Sequence, residues 1–173
     1  MTLAYVDVET TGLDPRIHQP YEVSYWRDDE DEPQTWFLTH TLEHADQQAL
    51  AIGRYWERSA YNATPDGHYA TASQRWMMLA LQGVTLVGSN PAFDAAMLTR
   101  FIGTPVWHHR MIDVSNVAMV VFDTDRPLGL AECAARCHDA GYNVVPEPDH
   151  TAEGDVRTTR AVYEALREIR SKS

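Results

Sequence analysis

Asp7 and Glu9 stand two positions apart in "AYVDVETTGLDP" (residues 4–15), a run that otherwise reads as a buried strand. Side chains alternate across a strand, so both acids project to one face while Val6 and Val8 take the other. Adjacent carboxylates repel by about 1 to 4 kcal/mol at ~4 Å for effective dielectrics of about 80 to 20, and burying an unpaired one costs several kcal/mol more. Something positive must sit between them. The first fifteen residues contain no Arg or Lys, and the small-residue turn "TTGLDP" leaves room for a ligand. Mg²⁺ or Mn²⁺ suits the pair, because hard cations prefer oxygen ligands and keep waters to offer a substrate. Two further stretches extend this chemistry. "GSNPAFDAAML" (88–98) places Asp94 behind a small-residue turn near the start of a helix, and "DHTAEGD" (149–155) places His150 five residues before Asp155. That offset is about 140° from a shared helix face, which leaves His150 in the loop and Asp155 in the first turns. A histidine beside a fixed metal ligand suits general-base chemistry on a metal-held water.

The elements that must hold these residues follow from periodicity. "LAYVDVE" (3–9), "YEVSYWR" (21–27) and "QTWFLTH" (34–40) read as three strands of an antiparallel meander, parted by a Gly/Asp/Pro turn and an acidic tip. Helical periodicity covers roughly 45 to 82, with a polar break at "NATPDGH" (62–68). "VTLVG" (84–88) is a fourth strand, "PAFDAAMLTRFIG" a helix stopped by Gly103, and a short strand is expected over Val106 to Ile112. "DVSNVAMVVF", "LAECAARCHDAG" and "TAEGDVRTTRAVYEALREIR" read as the remaining helices. Strands in a meander followed by strands reached through helices make an α/β layered architecture.

The three motifs, in order, are "VDVETTGL", "NPAFD" and "HTAEGD". With them the sequence resembles the DEDDh 3′→5′ exonucleases, the DnaQ-like branch of the ribonuclease H-like superfamily, over nearly the whole chain. The resemblance implies a five-stranded mixed sheet, a three-strand antiparallel meander plus two parallel strands, flanked by helices. It implies that Asp7, Glu9, Asp94 and Asp155 bind two divalent cations that share Asp7, and that His150 is the general base. One cation would activate a water and the other stabilise the departing 3′ oxygen. The reaction implied is removal of nucleoside 5′-monophosphates from the 3′ end of nucleic acid.

The resemblance also nominates substrate contacts. Thr10, Thr11, Gly12 and Leu13 would approach the terminal nucleotide, with Leu13 wedged against its base, although Gly12 alone could simply permit a positive-φ turn. Asn90 and Phe93 would contact the terminal sugar and shape the pocket, or else cap and pack a helix. "GRYWERSAY" (53–61) gathers Tyr55, Trp56 and Tyr61 with Arg54 and Arg58, a mix suited to stacking bases and touching phosphate, or, at helical spacing, a core stripe. Asp113 resembles a recurring family acid outside the metal set, with a structural role. His40, His44, His108 and His109 match no ligand position of the family.

Composition sets the outer limits. With 173 residues, 44% hydrophobic, the chain suits one domain spanning 1–173 with a full-sized core. No apolar run reaches the ~18 residues of a membrane span and no signal peptide is evident, so a soluble, cytoplasmic protein is expected. Cys133 and Cys137 read as reduced core thiols. A net charge of −11 disfavours a protein that grips nucleic acid through a basic face, though bound cations would cancel part of it. Much of the rest is "DDEDE" (28–32), expected as a solvated hairpin tip. The second motif departs from oligoribonuclease, which has Ser and Gln-Asp where this chain has "NPAFD", and few Lys argue against an RNase T-like basic surface. A freestanding exonuclease favouring single-stranded DNA is expected, with an RNase T-like exoribonuclease as the alternative; a catalytically silent nucleic-acid-binding module or a Ca²⁺-binding scaffold would leave the complete residue set unexplained. A polymerase or repair partner is conceivable, and no polymerase-binding tail is visible in the sequence.

Overall fold

The structure, a computed structural model, describes residues 2–58, 67–145 and 149–172, with residues 67–72 described as backbone only. Tyr61 and most of the polar break at 62–68 lie outside the described residues, as do Pro146 to Pro148 of the loop before His150. Five strands, β1 (Leu3–Thr10), β2 (Pro20–Arg27), β3 (Gln34–Phe37), β4 (Thr85–Gly88) and β5 (Ile112–Asp113), form one sheet in the order β3-β2-β1-β4-β5. The meander β3-β2-β1 is antiparallel, while β4 joins β1 and β5 joins β4 in parallel. The α/β class and the three-plus-two strand arrangement expected from the sequence are therefore observed.

Alternation along β1 divides the core into two layers. Leu3 and Tyr5 face α4 (Val114–Val121), α5 (Leu130–Asp139) and α6 (Ala152–Lys172), while Ala4, Val6 and Val8 face α2 (Gly67–Ala80) and α3 (Pro91–Ile102). Continuing that alternation puts Asp7 and Glu9 on the α6 side. A one-residue slip would drive both acids into the apolar α3 layer and take Val6 and Val8 out of it, and burying unpaired carboxylates there costs several kcal/mol, so the hydrophobic pattern fixes where the acids point. The register of β1 on β2 shifts between Glu9 and Thr10, a bulge that ends regular pairing just beyond the second acid.

Three boundaries differ from the sequence reading. The third strand, expected to 40, stops at Phe37. Its partner β2 begins at Pro20, which has no N–H to extend the ladder, and His40 turns back to donate from Nδ1 to Leu38 O at 2.8 Å. The last strand is Ile112–Asp113, not 106–112: the segment before it bonds to the chain just ahead of β4, through Gly83 N–H to Val106 O (2.9 Å) and His108 N–H to Val84 O (2.8 Å), and the ladder with β4 begins at Ile112. The helical stretch from 45 opens as α1 (Gln47–Ile52), capped by the Asp46 side chain, and breaks at Gly53, where Arg54 takes a left-handed φ of 49°. Cys133 and Cys137 are free and buried on α5. No helix among the described residues is long and apolar enough to cross a membrane.

Candidate active site

The site forms where β1 outruns β4. The parallel ladder ends at Tyr5 and Val87, after which β4 turns into α3 through Ser89 and Asn90. The crevice beyond the carboxyl ends of such strands is where open α/β sheets bind ligands. The edge of β1 facing it is left without a strand partner, and there Val8 N–H donates to Asp94 Oδ1 at 3.1 Å. Asp94, in the first turn of α3 and 3% exposed, is thus held against β1 from behind. From the other side α6 packs across β1 and β2 and brings Asp155 to the acids of β1.

Asp7, Glu9 and Asp155 each offer a carboxylate oxygen, all within 4.8 Å of one another. Asp155 Oδ1 is buried and has no hydrogen-bond partner within the protein. Crowding and burial act together on the charges. Asp7 is pushed well above the usual carboxylate range by burial first and then by Asp94, Asp155 and Glu9. Burial and the charge of Glu22 raise Glu9 to about 7, against the pull of Arg58 and a hydrogen bond from Tyr21. Burial raises Asp94 to about 8 despite hydrogen bonds from its own N–H and that of Val8. Asp155 rises to about 6, again by burial, with His150 opposing. An all-oxygen, anionic set with an orphaned buried oxygen fits a hard divalent cation, which would replace the missing solvation of all of them at once.

His150 stands outside the carboxylate cluster. It is exposed, in a left-handed turn with φ 55°, immediately before α6, and Asp155 N–H bonds back to Thr151 O at 2.9 Å to begin that helix. The loop position expected from the five-residue offset is what the backbone adopts.

The residues nominated for substrate contact fall in different places. Thr10 and Thr11 are buried, and their hydroxyls serve the turn: Thr10 Oγ1 donates to Gly12 O at 2.8 Å and Thr11 Oγ1 accepts from Gln19 N–H at 3.0 Å. Gly12 lies under the His18 ring, where a Cβ would come within 2.5 Å of it. Leu13 projects from the same turn at 76% exposure. Asn90 adopts φ 62° and makes no side-chain cap, while its N–H reaches Asp113 Oδ1 at 3.3 Å. Asp113 itself caps α4 through Ser115 N–H, a structural role. Phe93 is half-buried against the α3-side core. Tyr55 is 1% exposed, edge-on to Tyr21 and hydrogen-bonded through its hydroxyl to His40 Nε2 at 2.6 Å, so the core reading of that aromatic run describes it. Base stacking on Tyr55 is not available in this arrangement, whereas the neighbouring Trp56 is 54% exposed.

No protein-family model matches the sequence, and no curated protein is similar to it. Solved structures do match. E. coli exonuclease I in complex with a dA16 oligonucleotide superposes with a TM-score of 0.75 at 17% identity, over 99% of this chain and 42% of that one. The zinc-ion-bound E. coli exonuclease I–single-stranded DNA complex gives 0.74 at 17%, over 99% and 41%. The moderately thermophilic exonuclease I of Methylocaldum szegediense gives 0.67 at 19%, over 99% and 41%. What this chain shares with them at such identities is the fold, and it spans about two-fifths of their length.

Three residues that the sequence did not single out, Glu22, Tyr21 and Gly53, complete the site together with Arg58, which was nominated for phosphate. Glu22 of β2 is the cross-strand partner of Glu9 and only 2% exposed. Tyr21 bonds Glu9 through its hydroxyl. Gly53 lies so close that a Cβ there would sit 2.7 Å from Glu9 Oε2 and collide with the Tyr21 hydroxyl. Arg58 forms an ion pair with Glu22. An acid inside an otherwise apolar strand was the available signal for Glu22, but its relation to Glu9 depends on strand register.

Proposed function

We propose that this protein is a metal-dependent 3′→5′ exonuclease of the DEDDh type, acting on single-stranded DNA and releasing nucleoside 5′-monophosphates. The observation that carries the reading is the convergence of Asp7, Glu9 and Asp155, with a buried orphan oxygen on Asp155, beside an exposed histidine. Asp94 completes the acidic set behind β1. The fold shared with exonuclease I, which has been seen with single-stranded oligonucleotides, supports DNA as the substrate.

Two bound cations, Mg²⁺ or Mn²⁺, would supply Lewis acidity and an acidified water at the carboxylates. The chain's own residues do the rest. Asp7, Glu9 and Asp155 would hold cation charge for the scissile phosphate, and Asp94, whose Oδ1 accepts from Val8 N–H, would contribute to holding a second ion. His150 accepts a proton from the attacking water as its oxygen bonds to phosphorus, and the 3′ oxygen of the penultimate nucleotide leaves and is protonated. The exposed side chain of Leu13 would stack against the terminal base.

End-labelled single-stranded, duplex and mismatched DNA and RNA oligonucleotides, incubated with Mg²⁺ or Mn²⁺ and with EDTA, test this. Stepwise shortening of single-stranded DNA from its 3′ end, stopped by EDTA, is expected. Protection by a blocked 5′ end but not by a blocked 3′ end would overturn the polarity, and faster loss of RNA would make the enzyme an exoribonuclease.

A further inference from the structure

Arg58 joins three elements that carry the site. One nitrogen pairs with Glu22 of β2, and the other donates to Gly53 O at 3.1 Å and to His150 O at 3.4 Å. Glu22 in turn accepts from the backbone N–H of Ala152, the first residue of α6. The ion pair therefore holds the chain on both sides of Thr151: the carbonyl before it through Arg58, the amide after it through Glu22. Between these anchors His150 keeps a left-handed φ of 55°, a conformation that a non-glycine residue holds only when its surroundings enforce it. Both partners are largely shielded, with side-chain exposures of 14% for Arg58 and 2% for Glu22, so the strap is little screened by water. Lysine could not replace it, since one ammonium lacks the fork that reaches a carboxylate and two carbonyls together.

We propose that Arg58, braced by Glu22, is the positioning residue that holds His150 for proton transfer, an inference that rests on reading His150 as the general base. The competing role is direct: Arg58 also lines a cleft of about 440 Å³ with Thr35, Asp149, Thr151 and Arg157, where it could grip a substrate phosphate.

Kinetics on a single-stranded DNA oligonucleotide separate the two. In Arg58→Gln, kcat is expected to fall about 10- to 100-fold, as when a partner that orients a functional side chain is lost, with KM nearly unchanged and the Mn²⁺-induced rise in melting temperature retained. Added to His150→Ala, the same change is expected to lower the rate no further, because the group it positions is already gone. Losses that multiply, a rise in KM at constant kcat, or an unchanged kcat would each overturn the proposal, the second in favour of phosphate binding. Arg58→Gln leaves Glu22 buried and unpaired and risks misfolding. The paired variant Arg58→Met/Glu22→Gln removes both charges and must show the same loss of kcat. Amide exchange at Ala152 is the readout that does not depend on turnover: acceleration in the variants is expected, and unchanged exchange would overturn the strap even if the wild-type protein cleaved nothing, the result that would instead sink the nuclease reading.

Discussion

Five consecutive acids, Asp28 to Glu32, and five acids drawn from four elements, Asp7, Glu9, Glu22, Asp94 and Asp155, give the molecule two concentrations of negative charge. The first forms the tip of the β2–β3 hairpin. Its carboxylates stand mostly in water and find guanidinium partners: Arg27 pairs with Asp29 at 2.7 Å and Arg157 with Glu32 at 2.8 Å, and the Arg27 hydrogen bond holds Asp29 below the usual carboxylate range. The second group lies against the sheet, where burial pushes all five upward. Among the described residues Arg58 is the guanidinium paired within it. The tip is denser along the sequence, yet water and arginines already neutralise it. In the cleft the acids are largely shielded from solvent and face one another, which makes a bound cation worth far more there.

That contrast breaks if the cleft tolerates loss of an acid. Asp7→Asn should lower turnover by more than about 10³-fold, since losing a single electrostatic stabiliser can already cost that much, and should also abolish the melting shift with Mn²⁺. Steady-state hydrolysis and thermal denaturation of the same preparation check both, and retention of either would show that Asp7 is not a shared ligand.

His150→Ala sharpens the distinction between holding charge and moving a proton. Turnover should fall about 10²- to 10⁴-fold while the Mn²⁺ shift persists, whereas Asp155→Ala should lose both. Wild-type turnover in His150→Ala at neutral pH, or loss of metal binding as complete as in Asp155→Ala, would remove the assignment.

Metal and pH should act on the cleft in opposite directions. Glu9, Asp94 and Asp155 titrate at about 7, 8 and 6 in the folded protein, above their ordinary values of 4.5, 3.8 and 3.8. The folded state therefore keeps protons that the unfolded chain has released, so these groups stabilise the metal-free protein most below about pH 4 and progressively less up to about pH 8. Between pH 5 and 8 the melting temperature of chelator-stripped protein should fall by at least about 3 °C. Saturation with Mn²⁺ to about 100 Kd should restore ~2.7 kcal/mol, roughly 5 to 10 °C, and more at pH 8 than at pH 5, because the ligands must first lose their protons. A metal-induced shift independent of pH would contradict buried, proton-holding ligands.

The smallest effect belongs to the tip. Asp29→Asn with Glu32→Gln should move the melting temperature by no more than about 2 °C and leave turnover and the Mn²⁺ shift intact. A diminished metal response in this variant would mean that the two acidic regions act as one.

Much of the arrangement was legible beforehand because it is written in local pattern. The alternation of Leu3 to Glu9 fixes a strand with two acids on one face, and Pro91 with Gly103 brackets α3 and places Asp94 in its first turn. The five-residue interval from His150 to Asp155 separates a loop residue from a helical one. These features depend on backbone geometry a few residues wide. Tertiary structure decided the remainder. That Glu22 faces Glu9, that Gly53 and Tyr21 close over the same carboxylate, and that Arg58 reaches His150 all follow from strand register and from packing between distant segments. Likewise Tyr55 and Trp56 are neighbours with similar side chains, and no local pattern says which is buried; the Leu50–Tyr21 core takes Tyr55 and turns Trp56 outward. The sequence by itself determined which acids and which histidine are present and which face each takes on its own element. Only the folded chain set how much water they lose and which neighbours replace it, because desolvation and long-range charge are properties of the assembled cleft and of no single segment.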